Sequence, residues 1–315
     1  MASGAGLIDF PLRIPGFAMT NGLLDIVRRH ADAAADRDGV APTVIPGLSA
    51  LRALHPSELQ VGIYRPMVAL VLQGRKRVGL GTETFDFGAG DSLMISADVP
   101  TVSEITKASA GEPYYALVID LDPALIESLV AEIGALPETA RAPIRVEATK
   151  AEVADAALRL MRLIDRPGAL PVLSAQLLRE LHYWLLVGPH GAAIRGLGTP
   201  GSHAQRIARA VDLLRSDYAR ALRVEDLAER AGMSASSFHQ HFRAITSLTP
   251  LQFQKRLRLI EARRLMLSDG ATTSHAAFGV GYESVPQFTR DYGRLFGLPP
   301  ARDIREARER LRAAA

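Results

Sequence analysis

Along the first 190 residues the spacing of apolar positions changes character twice. Leu23, Leu24, Ile26 and Val27 recur at helical intervals, which predicts an amphipathic helix over Met19–Ala35 behind an unpatterned arm at residues 1–18. From about Thr43 to Asp120 the texture becomes short β-rich runs. Val68–Leu72, Arg77–Leu80, Ser92–Ser96 and Tyr114–Leu121 alternate there with clusters of Gly, Pro and Asp. Short strands at close spacing predict an antiparallel sandwich or small barrel. Helical spacing returns over Lys150–Asp165 and Leu170–Val187, the latter with Leu173, Leu177, Leu181, Trp184 and Leu185 in step.

The stretch 188–202, rich in Gly and Pro, reads as a linker between a domain at 1–187 and a second at 203–315. It contains a literal G-x-G-x-x-G, Gly196–Gly201. A dinucleotide site needs a strand before that motif and a helix after it, whereas here a helical segment precedes it and Pro200 interrupts it. No nucleotide site is expected.

The second domain repeats itself. Ala228 aligns with Ala277, Gly232 with Gly281 and Met233 with Tyr282. After one inserted residue, Glu283, Ser234 aligns with Ser284, Phe238 with Phe288, Phe242 with Tyr292 and Pro250 with Pro300. Each copy suits a helix-turn-helix. The alanine lets two helices approach, the glycine ends the first in a conformation other residues avoid, and the serine caps the second. The aromatic pair, four residues apart, turns that second helix toward the core. Ser284 with Gln287 predicts a capping box, as does Thr249-Pro250-x-Gln252. The helix starting there should run to Ser268, stopped by Asp269-Gly270. At ~19 residues it would be a rod of ~28 Å, holding two recognition helices for successive major grooves ~34 Å apart. Arg223, where a capping Ser or Thr would stand, predicts a frayed helix start.

Charge sharpens the division. Residues 202–315 hold 19 Lys and Arg against 12 Asp and Glu, a net of +7, while residues 1–201 hold 18 against 22, a net of −4. A basic half joined to an acidic one fits a protein in which one domain meets phosphates. The chain has no cysteine, so disulfides, thiolate metal sites and cysteine nucleophiles are excluded. No membrane span and no signal pattern are read, and the expected location is the cytoplasm.

With GMS…F…F, T-P-x-x-x, LRLIEARRLM, GYES…QF and FGLPP in place, the segment Ser202–Asp303 resembles the AraC/XylS-type transcription regulators. Thr43–Pro123 is similar to the N-terminal domain of one AraC-type subfamily, through YRPMVALVLQGRKRVGLG and FGAGDSLMISADVPT. The resemblance implies an α+β protein: an N-terminal cupin-like β-barrel with flanking helices, and a C-terminal all-α double helix-turn-helix. It also implies DNA contacts from Ser236, His239, Gln240 and Arg243 in the first recognition helix, and from Pro286, Thr289, Arg290 and Arg294 in the second. Helical phasing selects nearly the same residues. Phe238, Phe242, Phe288 and Tyr292 face inward, and their neighbours, which include Gln and Arg suited to adenine and guanine, face out. Pro286 is an unusual groove residue, suited only to apolar contact. Arg243, Arg263 and Arg264 could also be solvated charges on helix faces, with DNA contact the other reading for Arg263 and Arg264.

The barrel is also weighed as an enzyme. Metal-binding cupins use paired histidines, a carboxylate and a further histidine after a P-x-G-D-type turn. Here the turn is Gly88–Asp91, Thr101 stands at the last histidine position, and only His30 and His55 precede residue 140. Neither metal, cofactor nor catalysis is expected. The interior could instead hold a small organic effector, with Tyr64, Gln73, Glu104, Tyr114 and Tyr115 as candidate contacts. The alternatives are a dimerisation module with a filled core, with Leu173–Leu185 as barrel packing or dimer seam, or a cupin-type binding protein or enzyme with an accessory nucleic-acid-binding domain. Expected partners are double-stranded DNA, an effector, a second copy and, for an activator, RNA polymerase; no membrane is expected.

Overall fold

Leu23, Val27 and Ala31, one helical turn apart, are fully buried on one face of helix α1 (Pro15–Ala34). The computed structural model describes residues 15–81, 83–134 and 143–313. The expected arm at residues 1–18 lies outside the described residues up to residue 14, and its last four positions already belong to α1. Nine strands follow: β1 (Val40–Pro42), β2 (Leu48–Ala53), β3 (Gln60–Tyr64), β4 (Met67–Gln73), β5 (Arg75–Leu80), β6 (Glu83–Gly88), β7 (Asp91–Ile95), β8 (Val99–Lys107) and β9 (Tyr114–Asp120). Then come α2 (Pro123–Ile133), β10 (Ile144–Ala148), α3 (Ala151–Arg162), α4 (Leu170–Val187) and α5 (Gly191–Gly198).

The strands form two antiparallel sheets, ordered β1-β2-β9-β4-β7-β10 and β3-β8-β5-β6. Strand alternation then divides the apolar residues between two cores. Met67, Ala69 and Val71 of β4 and Tyr114 and Ala116 of β9 point between the sheets, where they meet Val78, Phe87, Val99 and Ile105. Val68, Leu70 and Leu72, with Tyr115, Leu117 and Ile119, point the other way onto α1, α3 and α4. Because β4 is buried on both faces, its sequence is a continuous apolar run rather than an alternating one. Leu181 and Leu185 of α4 pack into this second core, whereas Val172 and Leu173 are exposed.

The stretch expected as a linker contains a short helix. Residues 191–198 are helical, and Ala193 and Ile194 join the core beneath α1, α3 and α4. A side chain at Gly198 would lie 2.5 Å from the Glu127 backbone nitrogen, so only glycine lets α5 lie this close to α2. At the start of α5, His190 Nε2 lies 2.8 Å from Ser92 Oγ of β7. This helix is docked on the N-terminal core.

The remaining helices are α6 (His203–Ser216), α7 (Val224–Ala231), α8 (Ala235–Thr246), α9 (Pro250–Ser268), α10 (Thr273–Gly279), α11 (Val285–Phe296) and α12 (Pro300–Ala313). Phe253 and Leu257 of α9 lie in a core with α6, α7 and α8, while Leu259, Ala262 and Met266 lie in a second core with α10, α11 and α12. One helix therefore serves both units, and its apolar residues wrap its circumference because its two halves face different partners. Among the described residues, no helix is long and apolar enough to cross a membrane.

Candidate nucleic-acid interface and interior chamber

Helices α7 and α8 form one helix-turn-helix, α10 and α11 the other. Gly232 and Gly281 take positive φ values of 63° and 85° at the two turns, as the repeat requires. At Gly281 a Cβ would also fall 2.0 Å from the Ala219 carbonyl oxygen, so both conformation and space demand glycine. Ser234 caps α8 by accepting from the Ser237 amide at 3.3 Å. At Thr249 the capping box is complete, the Gln252 side chain accepting from the Thr249 amide at 3.0 Å. At Ser284 only half forms: the hydroxyl accepts from the Gln287 amide at 3.5 Å and no reciprocal bond is present. Arg223 precedes α7 with no side-chain cap, as its identity predicts.

The eight sequence-predicted contacts share the outward faces of α8 and α11. Ser236, His239, Gln240 and Arg243 are exposed, as are Pro286, Arg290 and Arg294, while Thr289 is half-buried. Phe238, Phe242, Phe288 and Tyr292 are fully buried behind them. Arg263 is no solvated charge: it makes two bonds to Asp303, at 2.8 and 3.2 Å, and Tyr292 donates to the same carboxylate at 2.6 Å. Burial raises the Tyr292 hydroxyl above its ordinary value, and the hydrogen bond to Asp303 adds to this, so it serves as a donor. Arg264, by contrast, is exposed and pairs with Glu261.

Three further residues of α9, not singled out in the sequence, set how the two units sit. Arg258 donates to the carbonyl oxygens of Tyr218, Ala219 and Arg220 at 2.7–3.2 Å, and to that of Gly281 at 2.9 Å. Gln254, one turn earlier, donates to the Tyr218 and Arg220 carbonyls at 3.0 and 2.6 Å. Lys255 lies 2.7 Å from the buried carboxylate of Asp291 in α11. A run such as LQFQKRLRLI carries no sign of these roles, because carbonyl capping by arginine depends on loops distant in sequence.

In the N-terminal domain, a cavity of about 280 Å³ opens between the sheets. Tyr64 and Tyr114 line it together with Lys76, among Leu51, Val78, Phe87 and Leu93. The other three candidates lie elsewhere. Tyr115 faces opposite to Tyr114 by strand alternation and donates to Asp32 of α1 at 2.7 Å; burial and that bond push its hydroxyl up to about 12. Glu104, between inward Ser103 and Ile105, faces out and pairs with Arg77 at 3.0 Å. Gln73, at the end of β4, donates to the Pro113 carbonyl at 2.7 Å. Lys76 is not legible in the sequence, where the consecutive cations Arg75-Lys76-Arg77 give no hint that the middle one points inward. Burial alone would raise the Tyr64 hydroxyl, yet the Lys76 ammonium and hydrogen bonds with Ser103 and Lys76 bring it below the ordinary tyrosine value. Among the described residues, no three His, Asp or Glu side chains come together as a metal site.

Comparison with known proteins joins the two halves. The family described as AraC-type transcriptional regulator N-terminus matches residues 44–193, and a helix-turn-helix family matches residues 227–306. The chain belongs to the AraC-type transcriptional regulators. This AraC-type chain is 32% identical over 104 residues to the transcriptional activator RhaS of Escherichia fergusonii, covering 33% of the chain and 37% of RhaS. It is 22% identical over 253 residues to the virulence regulon activator VirF of Yersinia enterocolitica, covering 77% of the chain and 88% of VirF. Matches to RhaS and to a putative AraC-like regulator of Streptomyces lividans thus span only 37% and 40% of those proteins. A crystal structure of ToxT from Vibrio cholerae shares the fold, with a TM-score of 0.53 at 12% identity, over 81% of this chain and 97% of ToxT.

Proposed function

We propose that the chain is a cytoplasmic, sequence-specific regulator of transcription that reads double-stranded DNA with α8 and α11, with no catalytic step of its own. The observation that carries this reading is the shared rod: α9 contributes to both cores, while polar faces of both recognition helices remain open. Ser236, His239, Gln240 and Arg243, with Pro286, Thr289, Arg290 and Arg294, are the proposed contacts. One polypeptide would then present two reading heads, as many helix-turn-helix proteins do only as dimers. Pairing with a second copy, and contact with RNA polymerase at activated promoters, belong to the same proposal.

The cavity of the β-domain is the proposed seat of a small organic effector. One solved ToxT structure, at 10% identity, holds an unsaturated fatty acid, and that ligand of ToxT supports looking for an effector here. Selection of genomic fragments by the full-length protein tests the DNA reading. An enriched site whose affinity falls steeply with salt is the expected result. Failure to enrich any site at moderate salt overturns the reading.

A further inference from the structure

Lys76 points between the sheets on the same face of β5 as Val78 and Leu80, and only 8% of its surface is exposed. Its ammonium lies 3.3 Å from the Tyr64 hydroxyl and 5.6 Å from the centre of that ring. The Tyr64 hydroxyl in turn lies 3.1 Å from Ser103 Oγ. Among the described residues, no carboxylate forms an ion pair with Lys76. The acids on the adjacent strands, Asp86 and Glu104, face outward and pair with Arg77 at 2.9 and 3.0 Å. Arg65 and Asp120 also border the cavity, but both are exposed at its rim.

A buried ammonium without a counter-charge is costly, and a neutral phenol offsets only part of the lost hydration. Around it the wall is apolar, and the volume is at the small end of ligand cavities. The wall therefore selects an apolar body and Lys76 selects an anionic head. Another polar group between the sheets lies outside the cavity lining. Thr101 Oγ1 is fully buried without a hydrogen-bond partner, two residues before Ser103 on the inward face of β8. An incoming amine would bring like charge to Lys76, and an alcohol would leave the ammonium uncompensated.

We propose that this chamber binds a small apolar monocarboxylate, its head group held by the Lys76 ammonium and the Tyr64 hydroxyl. The proposal rests on the effector reading above and adds the chemical class of the ligand. Its route outward is short. Tyr64 and Ile63 of β3 line the chamber, and Val61 and Ile63 of the same strand pack against the two cores of the DNA-binding domain. A ligand that moves Tyr64 moves a strand already seated on α9.

Calorimetric titration of the full-length protein with octanoate and phenylbutyrate, beside octanol, phenylbutanol and octylamine, tests this. The acids should bind about ten-fold or more tighter than the matched alcohols, as expected for a charge-assisted contact out of water. Lys76→Met fills the space of the stem and removes the unpaired charge, so it should melt no lower than wild type and bind acid and alcohol alike. Tyr64→Phe should weaken the acids several-fold and leave the alcohols unchanged. If alcohols equal acids on the wild type, or Lys76→Met keeps the acid preference, the head-group assignment is overturned and the effector chamber stands. If none of the five compounds binds, the chamber reading falls as well.

Discussion

Arg215 Nη1 of α6 lies 2.6 Å from Asp98 Oδ1, which joins the DNA-binding domain to the loop before β8 of the β-domain. The Arg256 guanidinium reaches the same region, donating to the Pro100 carbonyl at 3.2 Å. Burial raises the Asp98 carboxyl above its ordinary value in spite of Arg215, so this pair fixes position more than it adds stability. Asp98→Ala should therefore speed amide exchange in β8 and in the last turn of α6 while leaving the two helix-turn-helix cores protected. Unchanged exchange at that contact, measured by mass spectrometry, would show that the Arg215–Asp98 pair does not hold the domains together.

Arg290 and Arg243 should differ in what they read. Arg290 is exposed near the centre of α11, whereas Arg243 lies in the last turn of α8. Replacing Arg290 by alanine should cost about 1–3 kcal/mol at the preferred site and relax discrimination there. Replacing Arg243 should weaken all sequences alike and lower the salt slope by about one unit. Fluorescence anisotropy on specific and random duplexes over a salt series separates the two. Equal losses on both duplexes for Arg290→Ala contradict its assignment.

The junction at His190 should make folding pH-dependent. Burial lowers its imidazole from 6.5 to about 4, outweighing the nearby Glu147 carboxylate. Between those values the unfolded chain holds a proton that the folded chain does not, so stability falls as pH drops from about 6.5 toward 4 and is unaffected above. The expected loss is about 2–3 kcal/mol across that window. Denaturant melts of wild type and His190→Gln at pH 7.5 and pH 4.5 check it. The variant's penalty should be smaller, and an identical pH dependence removes His190 as the cause.

At the second turn, Gly281→Ala should cost about 2–4 kcal/mol, since it meets both a positive φ and the Ala219 carbonyl. Arg258→Met should cost about 1–3 kcal/mol by leaving carbonyls of both the 218–220 loop and Gly281 without their donor. Thermal melts give both values. Two independent losses that add fully in the double variant would argue against the shared turn, because residues around one carbonyl cluster should couple.

Legibility followed how local each determinant is. The rod from Pro250 to Ser268 was readable to the residue, because its cap, first-turn proline and stop are contiguous in sequence. The inward aromatics Phe238, Phe242, Phe288 and Tyr292 were equally plain, since a helical period fixes a face. Strand β4 was legible as an element, but its two buried faces hid which neighbours shared a side. Strand β3 and helix α2 are not among the elements the sequence predicts: QVGIY carries a central glycine that weakens its strand signal, and α2 follows the β-rich run without a break.

By itself, then, the sequence determined the repeat, the caps and glycine turns, the charge division and the helical faces that point away from the aromatics. Each depends on residues within a turn or two of one another, where backbone geometry alone sets the outcome. Tertiary structure decided the rest. Gly188–Ser202 has the composition of a loop, yet its segment His190–Gly198 docks on the N-terminal core because Gly198 and His190 find α2 and Ser92. Tyr114 and Tyr115 are identical in type and adjacent, yet sheet pairing sends one to the chamber and the other to Asp32. Lys76 carries the same charge as its neighbours, and only the closure of one sheet over the other buries it beside the chamber.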